Sequence, residues 1–307
     1  RYLKTDRTKK EGDKMEEIIL QRKLEALGQN GTLIRKDGKT FLQLDCENAK
    51  ELSMKWGEKL YPFTKTGKKW ILELPFSTAV NYVQICVDGQ EVLSPDLPIA
   101  HGYCRPYNYI ELPDEEGLFE LRDVPHGTLT QEFYKSKISD NWEKLIVYLP
   151  PCVPSAGLPV LYLQHGFGES EISWSTTGKV NFLMDNLIAA GKIKPFAIVM
   201  GNGMVKQRID GELKLNRALY GQMLVEEILP MIEKKYQFGG SKEKRGMAGL
   251  SMGSVQTTRI ICEHPELFSE VGIFSGFLRD RIVGDEEHDG IVPKSGGQSY
   301  LKAMDDA

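Results

Sequence analysis

Five consecutive residues in the last fifth of the sequence constrain the fold most. Gly249-Leu250-Ser251-Met252-Gly253 form a G-x-S-x-G pattern between a predicted strand, residues 244–250, and a predicted helix, residues 252–264. Small residues on both sides of a serine permit a tight strand-to-helix turn that lifts the hydroxyl out of the sheet. Ser251 is therefore a candidate nucleophile; a serine in an ordinary turn is the alternative.

A second turn is expected to face this serine. The apolar strand predicted at residues 159–164 ends in His165-Gly166-Phe167-Gly168. In acyl transfer, negative charge develops on a carbonyl oxygen, and two backbone N–H groups can bind that oxygen. We expect the N–H groups of Met252 and Phe167 to form this oxyanion hole. His165 itself is expected to pack the turn rather than to act as a base.

The N-terminal part of the chain predicts two other kinds of structure. Apolar residues at helical spacing over residues 15–27 predict a leading helix within residues 1–30. Residues 31–112 consist of short alternating runs separated by turn signals, which indicates an antiparallel all-β sandwich. In this sandwich Trp56 and Trp70 are expected to pack the core, with stacking on sugar rings as the alternative.

The rest of the chain, residues 113–307, alternates strands with helices, which is typical of an α/β fold with a doubly wound, mainly parallel sheet. Apolar runs between turn signals predict strands at residues 132–137, 144–149, 159–164, 196–200, 244–250 and 271–274. Helical spacing predicts helices at residues 179–190, 219–236 and 252–264. A polar stretch between them, residues 207–216, is expected to be a solvated loop.

Composition excludes several classes of protein. With 41% hydrophobic and 27% charged residues, the 307-residue chain is expected to be globular. Its apolar runs are far shorter than the roughly 20 residues of a membrane span, so no membrane partner is expected. A formal charge of -4 gives no general attraction to nucleic acid. No His/Cys cluster has zinc spacing and no Gly-rich run carries a P-loop lysine, so no metal or other cofactor is expected.

The cysteines bear on localisation. Five cysteines leave one unpaired in any full disulfide scheme, which favours a thiol-reducing compartment such as the cytoplasm over secretion. The first 13 residues lack the apolar core of a signal peptide. Because the chain begins with Arg1 rather than Met, the localisation stays open.

Several segments between residues 130 and 276 are specific in combination. They are residues 158–166, Trp174, residues 181–192, 201–203, 226–230 and 249–253, His264-Pro265 and Phe268. This combination resembles the esterase D and feruloyl esterase type of α/β-hydrolase. The all-β region before it resembles the immunoglobulin-like, carbohydrate-binding-module-type domain that often precedes these esterases.

The resemblance implies a function and a substrate pocket. It implies hydrolysis of esters, commonly hydroxycinnamoyl or acetyl esters of plant polysaccharides, through an acyl-enzyme on Ser251. The expected partner is then a small ester or an oligosaccharide ester. The resemblance also places Trp174, Asn202 and Gly168 in the substrate pocket, although composition alone would make Trp174 and Asn202 loop residues.

The base that must accept the serine proton is not identified. In the family that the chain resembles, an acid and then a histidine follow the nucleophile after two further strands, whereas only 56 residues follow Ser251 here. His101 and His126 precede the domain core, and His264 lies at the far end of the predicted helix. His288 lies in an acidic stretch that is typical of a surface turn. The sequence therefore favours a chain that lacks the last strands over His288 as the base.

Two consequences follow from the missing base. A sheet that ends at residues 271–274 would leave an apolar face and an unpaired edge, so we expect a missing C-terminal segment or a second copy of the chain to cover it. An esterase scaffold without its base could also be a catalytically inactive carbohydrate-binding protein, which is the alternative function. Acyl transfer to an alcohol instead of water is a third possibility.

Overall fold

The computed structural model describes residues 16–18, 32–78, 80–112 and 116–276. The chain divides into two compact units. The first unit comprises residues 1–100 and 106–114, and the second comprises residues 101–105 and 115–307.

The first unit contains two sheets. The strands of one sheet, in spatial order, are β1 (Glu16–Ile18), β2 (Thr32–Lys36), β3 (Lys39–Asp45), β7 (Lys69–Glu73) and β6 (Thr64–Thr66). The strands of the other are β10 (Ile99–Gly102), β11 (Arg105–Glu111), β8 (Val80–Val87), β4 (Leu52–Trp56) and β5 (Lys59–Pro62), with β9 (Gln90–Val92) paired to β8. Leu42, Met54 and Ile85 belong to one buried core that both sheets share, so the unit is the β-sandwich that the alternating pattern predicts.

Strand β1 corrects the prediction of a leading helix. Glu16–Ile18 pair antiparallel with β2, and Ile18 lies opposite Leu33. The free backbone groups at the edge of β2 offer hydrogen bonds that outweigh a weak helical propensity. The remainder of the helix predicted within residues 1–30 lies outside the described residues.

The tryptophans of this unit pack as the sequence predicts. Trp70 is buried, and its indole N–H donates to the carbonyl of Cys46 at 2.9 Å. Trp56 is partly buried and packs against the same core, with the Phe76 ring 5.1 Å from its own. Trp70 therefore has no face free to stack on a sugar ring.

The second unit is built on a six-stranded sheet. In spatial order its strands are β12 (Thr128–Lys135), β13 (Trp142–Leu149), β15 (Ala197–Gly201), β14 (Val160–Gln164), β18 (Arg245–Leu250) and β19 (Glu270–Phe274). The four strands from β15 to β19 run parallel, whereas β12 and β13 are antiparallel to their neighbours. The sheet is therefore mixed, and the expectation of a mainly parallel sheet holds only for these four strands. A short hairpin connects residues 135 and 142, too short for the crossover that parallel pairing requires.

Helices cover both faces of this sheet. On one face α3 (Leu219–Met223), α4 (Leu229–Tyr236) and α5 (Met252–Glu263) pack against alternate strand residues such as Val147 and Tyr162. On the other face α1 (Ser173–Thr176) and α2 (Val180–Ala189) pack against the intervening residues, such as Ile146 and Leu163. No helix among the described residues is long and apolar enough to cross a membrane.

Two local features differ from the sequence prediction. The single helix predicted over residues 219–236 is interrupted by a π-helical turn, Leu224–Ile228, just before Pro230. Proline lacks an N–H and its ring crowds the preceding turn, so the helix widens there. The predicted solvated loop at residues 207–216 forms a hairpin of β16 (Lys206–Ile209) and β17 (Glu212–Leu215), with Asp210 and Gly211 in its turn.

Strand β19 lies at the end of the described sheet. Its Val271 and Phe274 side chains are exposed, and no other described strand pairs with its outer edge. The expectation that a further segment or a second copy covers this edge stays a prediction.

A buried ion pair joins α4 to β18. The guanidinium of Arg245 donates to both carboxylate oxygens of Glu233, at 2.6 and 2.8 Å. The hydroxyl of Tyr162 and the N–H of Gly240 also donate to this carboxylate. The two charged side chains are only 12% and 9% exposed, so each depends on the other for its hydrogen bonds.

Replacing Glu233 should therefore destabilise the second unit strongly. For Glu233→Ala we expect a loss of about 3–5 kcal/mol in the free energy of unfolding, because Arg245 is left as an uncompensated, mostly buried charge. Equilibrium urea unfolding measures this loss. The control is Glu263→Ala, which removes an exposed partner of Arg259 in an i,i+4 pair and should cost less than about 0.5 kcal/mol. Equal effects of the two substitutions would contradict the prediction.

Candidate active site

Ser251 occupies a strained turn between β18 and α5. Strand β18 ends at Leu250 and α5 begins at Met252, so Ser251 alone makes the turn. Its φ of 52° and ψ of -111° lie in a region that residues other than glycine rarely adopt. Such strain persists only where the surrounding structure enforces it, and it is concentrated at functional sites. The prediction of a strand, turn and helix around Ser251 is confirmed.

The two glycines of the motif allow this turn. A Cβ on Gly249 would lie 2.2 Å from the carbonyl oxygen of Gly253, and a Cβ on Gly253 would lie 2.6 Å from the carbonyl oxygen of His165. Both distances are far below van der Waals contact. The first turn of α5 therefore packs directly onto the ends of β18 and β14.

Hydrogen bonds hold the backbone of Ser251 from both sides. Its N–H donates to the carbonyl of Phe274 at 2.9 Å, and its own carbonyl accepts from the N–H groups of Ser254 and Val255. The hydroxyl of Ser254 donates to the same carbonyl at 2.6 Å. Ser254 therefore stabilises the turn through both its backbone and its side chain. The Ser251 side chain is half-buried and not sealed in the core.

The predicted oxyanion loop, residues 165–168, lies beside this turn. Strands β14 and β18 are parallel neighbours with Gln164 opposite Gly249, so residues 165–168 and Ser251 follow the same edge of the sheet. A Cβ on Gly166 would lie 3.8 Å from the carbonyl oxygen of Leu250. Within the described part of the chain, no acceptor binds the backbone N–H of Phe167 or that of Met252. The structure thus places both predicted donors at one edge with the serine.

Backbone contacts hold the oxyanion loop in place. The carboxylate of Glu169 accepts the N–H of Gly166 at 2.9 Å. Within the second unit, the carbonyls of Phe167 and Gly168 accept the N–H groups of Tyr103 and Cys104 at 3.3 and 3.2 Å. Gly168 has a φ of +74°, and a Cβ there would lie 2.1 Å from the nitrogen of Cys104. Gly168, which was predicted to line the pocket, serves this close backbone approach.

Sequence reasoning missed Glu169 and the turn at residues 101–105. The turn at residues 101–105 acts on the loop through backbone hydrogen bonds, which any residue can make, whereas Glu169 accepts a backbone N–H with its side-chain carboxylate. The acidic side chain three positions after Gly166 is the only signal that the sequence carries.

His165 is a structural residue, as predicted. The ring is 1% exposed, its Nδ1 lies 2.8 Å from the carbonyl of Gly166, and its Nε2 lies 3.0 Å from the N–H of Gly203. A carbonyl only accepts and an N–H only donates, so the neutral ring carries its proton on Nδ1. Burial lowers the pKa of His165, and the Gly166 carbonyl and the charge of Glu169 oppose this effect.

The two predicted pocket residues have different surroundings. The Trp174 ring lies 6.1 Å from the ring of Phe274, whose carbonyl holds the N–H of Ser251. The indole nitrogen of Trp174 is buried and has no hydrogen-bond partner among the described residues. Asn202 directly follows β15, and its side-chain oxygen accepts the N–H of Met204 at 2.9 Å. Asn202 therefore holds its own turn at the same edge of the sheet.

No described side chain forms a hydrogen bond with the Ser251 hydroxyl. The imidazole of His126 contacts the carboxylate of Asp185 at 2.9 Å and the carbonyl of Arg122 at 3.0 Å. His264 ends α5 at the opposite end from Ser251 and lies 3.5 Å from Glu266. His288 lies outside the described residues. Within the described ranges, no cluster of three or more His, Cys, Asp or Glu side chains could hold a metal ion.

Comparison with known families decides the relationship. The model of the esterase family, described as "Putative esterase", matches residues 136–296, just over half of the chain. The chain belongs to this esterase family.

Individual proteins resemble this chain over different parts of its length. An endo-1,4-beta-xylanase/feruloyl esterase from Xylanibacter ruminicola is 32% identical over 264 residues, which are 81% of this chain and 36% of the relative. The chain therefore spans little more than a third of this curated relative. The family match and this relative confirm the predicted resemblance to esterases of the feruloyl esterase type.

Two solved structures are also similar to this chain. A ferulic acid esterase is 27% identical, with a TM-score of 0.47 over 60% of this chain and 73% of that chain. An enterobactin esterase from Shigella flexneri is 12% identical, with a TM-score of 0.58 over 84% of this chain and 76% of that chain. The second likeness shows that the fold is of the α/β-hydrolase type.

A side chain on Gly249 should disrupt the turn. For Gly249→Ala we expect a loss of about 1–3 kcal/mol or more in the free energy of unfolding, because the new methyl group overlaps the first turn of α5. The matched control is Gly246→Ala in the same strand, where a Cβ meets its nearest atom at 3.4 Å. Thermal or urea unfolding compares the two variants, and a Gly249→Ala variant as stable as Gly246→Ala would contradict this account.

The buried His165 should make stability depend on pH. The unfolded state protonates this imidazole near pH 6.5, whereas the folded state resists protonation. The free energy of unfolding should therefore fall as the pH drops below about 6.5, by up to about 1.4 kcal/mol per pH unit from this group. Urea unfolding at several pH values should show a shallower slope for His165→Gln. Equal slopes for the wild-type protein and for His165→Gln would refute the prediction.

Proposed function

We propose that this chain is a serine carboxylic-ester hydrolase that acts on acyl or feruloyl esters of plant carbohydrate. One observation carries the proposal. Ser251 lies in a strained strand-to-helix turn, at the same sheet edge as two backbone N–H groups that have no acceptor among the described residues. Strain at a nucleophile together with preorganised donors is what acyl transfer requires.

The mechanism assigns a role to each of these groups. The Ser251 oxygen attacks the ester carbonyl carbon and loses its proton to a base, while the N–H groups of Met252 and Phe167 bind the oxyanion. The proton then passes to the alcohol, which leaves, and the acyl group remains on Ser251. Water attacks this acyl-enzyme with help from the same base, releases the acid and restores the serine.

The proposal requires a base from outside the described residues. The four described histidines, His101, His126, His165 and His264, make no hydrogen bond with the serine hydroxyl. In particular, both ring nitrogens of His165 already bind backbone groups. An imidazole that reaches Ser251 must therefore come from another segment, or the protein is the inactive carbohydrate-binding scaffold.

Aromatic side chains near the turn suit an aryl acyl group. The Phe167 ring is partly exposed, and the guanidinium carbon of Arg217 lies 5.3 Å from its centre. The ring of Trp174 lies next to the ring of Phe274, whose carbonyl accepts the Ser251 N–H. The name of the relative from Xylanibacter ruminicola, a xylanase and feruloyl esterase, supports the choice of feruloyl esters on a plant polysaccharide.

Replacing the serine should abolish hydrolysis. For Ser251→Ala we expect kcat/KM on an activated aryl ester to fall by at least about a thousandfold, since the nucleophile is lost while the fold is kept. A spectrophotometric assay measures release of the aryl alcohol. Ser53→Ala, at a half-buried serine of the first unit, should keep full activity. In parallel, a fluorophosphonate probe should label residue 251 in the wild-type protein only.

The outcomes separate the competing functions. Unchanged hydrolysis by Ser251→Ala would remove this residue from the mechanism. A full-length wild-type protein that neither hydrolyses aryl esters nor reacts with the fluorophosphonate would favour the inactive scaffold. Formation of a new ester when an alcohol is added would favour acyl transfer over hydrolysis.

A further inference from the structure

An apolar strip lies on β12 and β13, on the face of the sheet that also carries the buried Ile146 and Tyr148. Phe133 and Trp142 are 62% and 67% exposed, and Leu129 farther along β12 is also exposed. Phe133 lies opposite Lys144 and Trp142 opposite Lys135, so the two aromatic residues are diagonal neighbours on the same face. We call Leu129, Phe133 and Trp142 the aromatic strip. Exposed apolar side chains grouped in this way commonly mark a binding site.

The cations beside the aromatic strip are neutralised. The ammonium of Lys135 donates to the carboxylate of Asp140 at 2.9 Å. The ammonium of Lys144 lies 2.7 Å from a carboxylate oxygen of Glu171, whose side chain is fully buried. Both neighbouring charges are therefore paired, and the surface presents flat apolar groups with little net charge. This combination suits an uncharged ligand better than an acidic or basic one.

The aromatic strip also lies toward the edge of the sheet that carries Ser251. Strand β13 is antiparallel to β15, so Trp142, its first residue, lies toward the end where β15 and its parallel neighbours finish. Two strands separate β13 from β18, which corresponds to roughly 14 Å at about 4.8 Å per strand. A ligand on Trp142 and a substrate at Ser251 would thus share one edge.

We propose that the aromatic strip binds the neutral glycan chain that carries the ester, with sugar rings stacked on Phe133 and Trp142. The C–H faces of pyranose rings are flat and apolar, so they match aromatic faces. The choice of a glycan rests on the proposed function. A second copy of the chain fits less well, because three side chains between two ion pairs offer less than the roughly 800 Å² per partner that a stable dimer buries.

Affinity electrophoresis of the full chain through gels that contain a soluble neutral xylan tests the proposal. The polysaccharide should retard the wild-type protein, and Trp142→Ala and Phe133→Ala should each weaken binding roughly tenfold. Trp142→Phe, which keeps a flat ring, should restore most of the retardation. Leu60→Ala, at a 61% exposed apolar residue of the first unit, should bind as the wild type does. All of these variants should keep wild-type hydrolysis of a small aryl ester.

Several results would overturn the proposal. Absence of retardation of the wild-type protein, or retardation of Trp142→Ala and Phe133→Ala as strong as that of the wild type, would show that the aromatic strip does not bind the glycan. A concentration-dependent dimer in sedimentation that these two substitutions abolish would show instead that the strip is a self-association surface. Neither result depends on the aryl ester assay, so failure of the glycan site is distinguishable from failure of the esterase function.

Discussion

The close approach of the first turn of α5 to the ends of β14 and β18 is the constraint on which the rest of the site depends. It is possible only because Gly249 and Gly253 lack side chains. It forces Ser251 into a backbone conformation that other residues avoid. It also brings the loop after β14 alongside the serine, because the two parallel strands end in register. The positions of the proposed nucleophile and of the proposed oxyanion donors are thus consequences of one packing contact.

Much of this site could be predicted from the sequence, because its chemistry is local. A glycine two positions before and two positions after Ser251, between an apolar strand and an apolar helix, leaves few alternatives to a sharp turn. The same holds for residues 165–168, which follow a continuous apolar run. The predicted strands and helices of the second unit agree with the observed ones to within about four residues, but the pattern gave neither α1, the hairpin at residues 206–215 nor the π-helical turn at Leu224–Ile228.

Other features depend on contacts that no local pattern contains. Residues 16–18 have helical spacing, yet they pair with the edge of β2, and such tertiary pairing overrides weak propensity. In the β16–β17 hairpin only residues 206–209 lack the apolar alternation that identifies a strand, whereas Leu213 and Leu215 alternate with polar residues after the Asp210-Gly211 turn signal, which the loop prediction overlooked. The mixed character of the sheet follows from the short connection between β12 and β13. The base that the proposed mechanism requires has no counterpart among the described residues. That another segment supplies this base stays a prediction.

The hydrogen bond from the Ser251 amide to the Phe274 carbonyl links the nucleophile to the register of β19. In a parallel pair, a slip of one residue points the neighbouring carbonyl to the opposite side of the strand. The serine amide would then lose its acceptor while the rest of the turn stayed in place. Whatever aligns β19, the last strand of the described sheet, therefore also aligns the backbone of Ser251, on which the proposed mechanism depends.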